Sequence, residues 1–200
     1  ALVSDAGTPV VSDPGSLAVS MVRQAGFPVV PIPGANAAIC ALSAGGIAAP
    51  HFLFYGFLPA RAAARREALS TLAALPYSLV FYEAPHRVAE CVADLALTMG
   101  IERRVLIARE LTKLFEETHV CALGDVPAWL GANPHRAKGE FVLVVEGAGD
   151  SAPDEATQDK TLAALLEELP LKQAVALAVK ITGGNRNDLY RRALLLKAQS

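Results

Sequence analysis

The chain has 200 residues, 52% of them hydrophobic and 19% charged, with 15 Gly and 13 Pro, which excludes general disorder and a long-helix protein and leaves room for one large or two small domains. The formal net charge is −2, and the three cysteines, Cys40, Cys91 and Cys121, lie far apart in apolar surroundings, so a disulfide scaffold and a CxxC zinc site are both excluded and a reducing compartment is the better fit. The sequence holds no uncharged apolar run of membrane-spanning length and no basic segment leading into an apolar one, and it predicts neither a membrane span nor a secretory signal.

Ala1-Leu2-Val3 runs into Ser4-Asp5-Ala6-Gly7 without an initiator methionine, as the middle of a domain would, so a C-terminal portion of a longer domain is expected. Asp13-Pro14 predicts an N-cap and first helical residue for a helix over 16–25, stopped by Gly26. Val29 to Ile32 reads as a short strand ended by Pro33-Gly34, and 35–44 as a closely packed helix ended by Gly45-Gly46. Next come a strand over 51–57 and a helix over 61–75, with Leu69 and Leu72 inward and Arg61, Arg65 and Arg66 toward solvent. Strands are expected at 78–82, 104–108, 118–122 and 140–145, a helix at 88–99, and a short helix capped by Asp125. The alternation predicts an α/β layer of mostly parallel strands, roughly six or seven of them with five or more helices.

Composition changes at Gly149. Residues 149–160 are rich in Asp, Glu, Ser and Pro and read as a linker, followed by helical patterns at 161–169, 171–181 and 187–197. The last two flank Gly183-Gly184 in a helix-turn-helix arrangement. Residues 171–200 carry six basic side chains against Asp188 alone, a net +5, so any nucleic-acid contact is expected to be local to this module and to selected loops.

Several strand ends bear groups suited to chemistry. Ser4-Asp5-Ala6-Gly7-Thr8-Pro9 fits either a structural turn or a ligand loop, and the small residues after Pro33-Gly34 fit either close helix packing or a cofactor wall. Glu83, His86 and Arg87 follow one strand; Arg109, Glu110 and Lys113 follow another. Buried singly, such groups are costly, so they are either clamped to one another or face a cleft. His51, His119 and His135 are scattered, no HExxH occurs, and no metal site is expected. Neither Ser43 nor Cys91 has the surroundings of a nucleophile.

Seven motifs in order, Ser4 to Pro9, Ser12 to Gly15, Pro31 to Gly34, Tyr55 to Pro59, Phe81 to Arg87, Ala108 to Lys113 and Lys138 to Phe141, resemble the bacterial 16S rRNA 2'-O-ribose methyltransferase I family of the tetrapyrrole methylase superfamily. The resemblance implies a two-domain α/β fold, with residues 1–38 as the C-terminal half of the first domain, 39–148 as the second, and 161–200 as a basic helical module beyond the 149–160 linker. The family's initial strand and its Pro-Ile-Gly-Asn type loop have no counterpart in this sequence. It implies S-adenosylmethionine as methyl donor, held by Ser4, Asp5, Ala6, Gly7, Thr8, Pro9, Pro33, Gly34, Gly139, Glu140 and Phe141. Catalytic roles fall on Glu110, Lys113 and Arg109, with Glu110 either a general base or a clamp. Substrate contacts fall on Glu83, His86 and Arg87 and, in the basic module, on Arg186, Arg191 and Arg192, unless that module only caps the α/β body. A cytoplasmic homodimer acting on a cytidine ribose of 16S rRNA in the small subunit is the implied context. Tetrapyrrole methylation and noncatalytic RNA binding are the alternatives.

Overall fold

The computed structural model describes residues 1–5, 7–47, 51–149 and 155–198. Its contacts form two units, 1–148 and 149–200. In the first, the order is α1 (Ser16–Gln24), α2 (Ala37–Ala44), β1 (Phe52–Phe57), α3 (Ala62–Leu72), β2 (Ser78–Glu83), α4 (Val88–Met99), β3 (Arg104–Arg109), β4 (Glu117–Ala122), α5 (Val126–Gly131) and β5 (Phe141–Val145). The five strands lie in the order β1-β2-β5-β3-β4.

β1 and β2 are parallel, whereas β5 runs antiparallel to both β2 and β3, and β3 antiparallel to β4. The mostly parallel arrangement expected from the helix-strand alternation is therefore corrected. β5 enters without a preceding crossover helix of full length, and it inserts between β2 and β3 in the opposite sense.

Helices cover both faces of the sheet, which explains the continuous apolar runs of its central strands. Leu79, Phe81, Val105, Ile107, Leu143 and Val145 pack with Leu69 of α3, with Cys91 and Leu95 of α4, and with Trp129 of α5. On the other face Val80, Leu106, Ala108, Val142 and Val144 pack against Ala38 and Ala41 of α2. The small residues of α2 thus serve close approach to the sheet.

Four further sequence expectations are corrected. Val29 to Ile32 is not a strand: Pro28, Pro31 and Pro33 each lack a backbone donor, and Val30 and Ile32 are exposed. Ala1 to Val3 is likewise irregular. Helix α1 begins at Ser16 behind Gly15, not behind an Asp13 cap. Finally, Arg65 is buried, its Nε donating to Asp94 Oδ2 at 2.6 Å while Arg66 reaches the other carboxylate oxygen at 3.1 Å.

In the second unit α6 (Glu155–Glu168), α7 (Leu171–Thr182) and α8 (Arg186–Ala198) surround Leu162, Val175, Ala178, Leu189 and Ala193. Helix α6 starts within the stretch read as a linker, which corrects that boundary; residues 150–154 of it lie outside the described residues. Gly183 ends α7 in the left-handed region, at φ 64°.

Candidate active site

Four separated segments meet around a cleft of about 470 Å³: Gly7 to Asp13, Asn36-Ala37 at the start of α2, Tyr82 to Pro85 after β2, and Glu140 to Val142 at the start of β5. Phe57, at the end of β1, also lines it. Thr8 Oγ1 donates to the Ala35 carbonyl at 2.9 Å and fastens the first loop to the second. Asn36 is the N-cap of α2, its Oδ1 accepting from Ala38 N and Ile39 N at 2.9 and 3.2 Å. The Tyr82 hydroxyl accepts from the same Ala38 N–H at 3.2 Å, and burial pushes its pKa up. The end of β2 is thereby tied to the helix start across the cleft.

Of the residues expected to hold a cofactor, Gly7, Thr8, Glu140 and Phe141 line this cleft, and Pro33 and Gly34 lie just before Asn36 without lining it. Pro9 lines a separate apolar cavity between α1 and the 28–32 segment. Ser4 and the exposed Asp5 precede the lining residues, and Ala6 lies outside the described residues. Asn36, Phe57 and Tyr82 were not assigned roles from sequence. Asn36, one residue beyond Pro33-Gly34 and directly before Ala37-Ala38, is an N-cap signal, and it would have located the start of α2.

Glu83 is buried at the cleft wall, and its Oε1 accepts from Ala84 N at 2.8 Å. Arg87 Nη2 stands 3.3 Å from Glu83 Oε2 but directs its hydrogen bonds to the carbonyls of Leu58 and Pro59, at 2.8 and 3.2 Å. Glu83 Oε2 is left without a well-aligned hydrogen-bond donor among the described residues. The Cys91 thiol beside this carboxylate is pushed up to about 12, first by burial and then by the charge of Glu83. Arg87 therefore locks the end of β1 onto β2, while His86 is exposed on the turn before α4.

Arg109, Glu110 and Lys113 gather at the end of β3. Glu110 Oε1 accepts from Glu140 N at 2.9 Å and from Lys113 Nζ at 3.0 Å, and Lys113 also reaches Glu140 Oε2 at 2.9 Å. These donors, the backbone N–H of Glu140 foremost, hold the Glu110 carboxyl below the usual carboxylate range. The Glu140 and Glu110 carboxylates raise Lys113 in turn. Arg109 donates to the carbonyls of Lys138 at 2.7 Å and Phe115 at 2.9 Å. The cluster thus pins the loop preceding β5 to the end of β3, beside the cleft lined by Glu140.

Backbone strain marks the same places. Among the described residues the non-glycine residues with positive φ are Val10 (75°), Ser12 (55°), Glu110 (51°) and Thr112 (63°), two in the loop edging the cleft and two beside it. Each such conformation costs of order 1–3 kcal/mol and persists where surrounding structure enforces it, as ligand-binding loops commonly do. A preformed, strained, mixed polar and apolar cleft built from four segments suits a small cofactor.

In the basic module, Arg192 donates to Asp159 Oδ1 at 2.7 Å and Gln158 Oε1 at 3.1 Å, joining α8 to α6. Arg191 pairs with Asp188 within α8 and is largely exposed, and Arg186 is exposed.

Comparison with known proteins follows the division into units. Residues 1–127 match the family described as Tetrapyrrole (Corrin/Porphyrin) Methylases, and 152–197 the one described as RsmI C-terminal HTH domain. A protein of Escherichia coli O157:H7 named Ribosomal RNA small subunit methyltransferase I is 48% identical over 195 residues, covering 97% of this chain and 68% of that protein. A protein of the same name from Pseudomonas aeruginosa is 45% identical over 205 residues, covering 100% of this chain and 72% of that protein. Among solved structures, that of the methyltransferase CobJ aligns with a TM-score of 0.52 at 23% identity, over 71% of this chain and 62% of that one, a likeness of fold.

Proposed function

The chain belongs to the ribosomal RNA small subunit methyltransferase I family within the tetrapyrrole methylases, and from that premise we propose that it serves S-adenosylmethionine-dependent 2'-O-methylation of a cytidine ribose in 16S rRNA. The observation that carries this reading is the convergence of the 7–13 loop, the start of α2, the turn after β2 and the start of β5 on one cleft of about 470 Å³.

The residues present fit the donor. Gly7, Ala37 and Ala84 leave room for a bulky ligand, Phe57 offers an aromatic face to adenine, and the Asp13 carboxylate can accept from hydroxyl or ammonium groups. When bound, S-adenosylmethionine supplies an electrophilic methyl group. The chain's own part is to hold the acceptor ribose in line with that group and to receive its environment of charge, and positioning of this kind contributes roughly 7–11 kcal/mol in well-oriented systems. Lys113 stands beside the cleft to favour a developing alkoxide or an adjoining phosphate. Glu110, already accepting from two donors and held ionised, orients Lys113 and the start of β5 in this reading, and the proton of the ribose hydroxyl passes to water. The same reading carries with it a homodimer working in the cytoplasm on the small subunit; among the described residues no helix is long and apolar enough to cross a membrane.

Labelled methyl transfer from S-adenosylmethionine to small subunits lacking the modification, followed by mapping of the modified nucleotide, tests the proposal. Label on a cytidine 2'-oxygen is expected. Label on a base, or transfer to a tetrapyrrole and none to RNA, would refute it.

A further inference from the structure

A second concavity, of about 760 Å³, lies between the loop joining β3 to β4 and the loop joining α5 to β5. It meets the donor cleft at Gly139-Glu140: Gly139 lines the groove, Glu140 lines the cleft, and Glu110 accepts from the Glu140 N–H between them. The groove is rigidly built. Arg109 ties its two loops together through the carbonyls of Phe115 and Lys138. Arg136 donates to Glu117 at 2.9 Å and to the Trp129 carbonyl at 3.1 Å, and its guanidinium lies 4.4 Å from the Trp129 ring centre. Both arginines thus spend their donors on the frame.

This frame presents three different groups side by side. Phe115 is 66% exposed at the lip of the groove, on a loop whose backbone is fixed by the bond to its carbonyl and by two strained residues. The opposite loop carries the exposed Lys138, which has no ion pair among the described residues, and Asn133, whose Oδ1 accepts from His135 N and so leaves its amide hydrogens for another acceptor. An exposed aromatic ring, amide donors and an unspent cation, in a groove next to the methyl-donor cleft, match the three parts of a nucleotide.

We propose that this groove receives the target nucleotide drawn out of the RNA stack, its base against Phe115, its polar edge toward Asn133 and an adjoining phosphate toward Lys138. The inference rests on the RNA-methylating function proposed above and deepens it. A ribose that reacts must come within about 3–3.5 Å of the donor methyl, and a nucleotide stacked within folded RNA cannot enter a cleft without leaving its neighbours. Proteins that hold unstacked RNA bases do so on aromatic side chains with cations at the backbone. The groove's place one residue from the cleft lining, at Gly139 beside Glu140, favours RNA over a peptide as its occupant.

The test uses the protein and its Phe115→Ala, Phe115→Trp and Lys138→Ala variants with small subunits lacking the methyl group. Subunit binding is measured by filter retention across salt concentrations, single-turnover transfer over a range of subunit concentrations, and donor binding by calorimetry. Phe115→Ala is expected to weaken subunit binding about tenfold, as loss of one base stack does, while Phe115→Trp retains it. Lys138→Ala should weaken binding and flatten its salt dependence by about one phosphate contact. Donor affinity should stay unchanged in all three. Subunit binding by Phe115→Ala and Lys138→Ala equal to that of the parent would overturn the groove assignment, as would a parent that does not bind subunits. A parent that binds subunits through Phe115 but transfers no methyl would instead refute the proposed reaction and leave the groove standing.

Discussion

Glu110 sits in the left-handed region with its carboxylate folded back over the loop before β5, and the residue it meets there is Gly139. A Cβ at Gly139, whose own φ is 93°, would stand 2.5 Å from Glu110 Cγ. Gly139→Ala must therefore distort either its own backbone or the Glu110 contact. The expected cost is about 1–3 kcal/mol, read as a lowered midpoint in urea denaturation. The Glu110 contacts also carry a pH signature. Because its folded-state pKa is depressed, its contribution is complete above the unfolded value and is lost as pH falls from that value through the lower folded one. The stability gap between the protein and Glu110→Gln should thus hold steady from neutral pH into the carboxylate range and close only in acid. A gap that closes between pH 6 and 8, a window lying in the range where histidines titrate, would remove Glu110 as its source. Sequence alone brought Glu110 and Lys113 together by their spacing. The need for glycine at position 139 was hidden because it arises from a contact across 29 residues of chain.

At the level of elements, β2, β3 and β5 were legible as apolar runs ended by charge, but a strand buried on both faces has no polar side to report its direction. That is why parallel pairing was expected where antiparallel pairing occurs. Helix α3 shows the opposite case. Arg65, Leu69 and Leu72 stand at i, i+4 and i+7, so the period itself places Arg65 on the buried face, and only its charge suggested solvent. The donor cleft was legible in part: Gly7 and Thr8 announced themselves as a strand-end loop, whereas Tyr82 entered through its hydroxyl, at the end of an apolar strand. In the helical module the sequence grouped Arg186, Arg191 and Arg192 by charge, yet Arg192 is spent on Asp159 and Gln158. Arg192→Ala should destabilise the three-helix unit by about 1 kcal/mol, whereas Arg191→Ala should leave it within about 0.5 kcal/mol of the parent. Hydrogen exchange of amides in α6 and α8 distinguishes the two. Of these three arginines, Arg186 and Arg191 are the ones left to contribute charge to RNA docking, beside Lys172, Lys180 and Lys197.

For the molecule as a whole, the decisive feature is that β5, the last strand among the described residues, occupies the middle of the sheet, hydrogen-bonded to β2 on one side and β3 on the other. A chain ending at Glu140 would leave β1-β2 and β3-β4 as two separate pairs, each exposing an apolar edge. Such a truncation should show no cooperative melting transition by circular dichroism and should be digested rapidly by protease; a folded, protease-resistant product would show that the two pairs can close on each other. During synthesis the same geometry imposes an order of events. Residues 52–122 leave the ribosome able to form only the separate pairs β1-β2 and β3-β4, and the two pairs join into one sheet only after Val145 has cleared the exit tunnel. Until then the unpaired edges of β2 and β3 are what a chaperone would meet, and the rate at which residues 123–145 are translated sets how long they stay open.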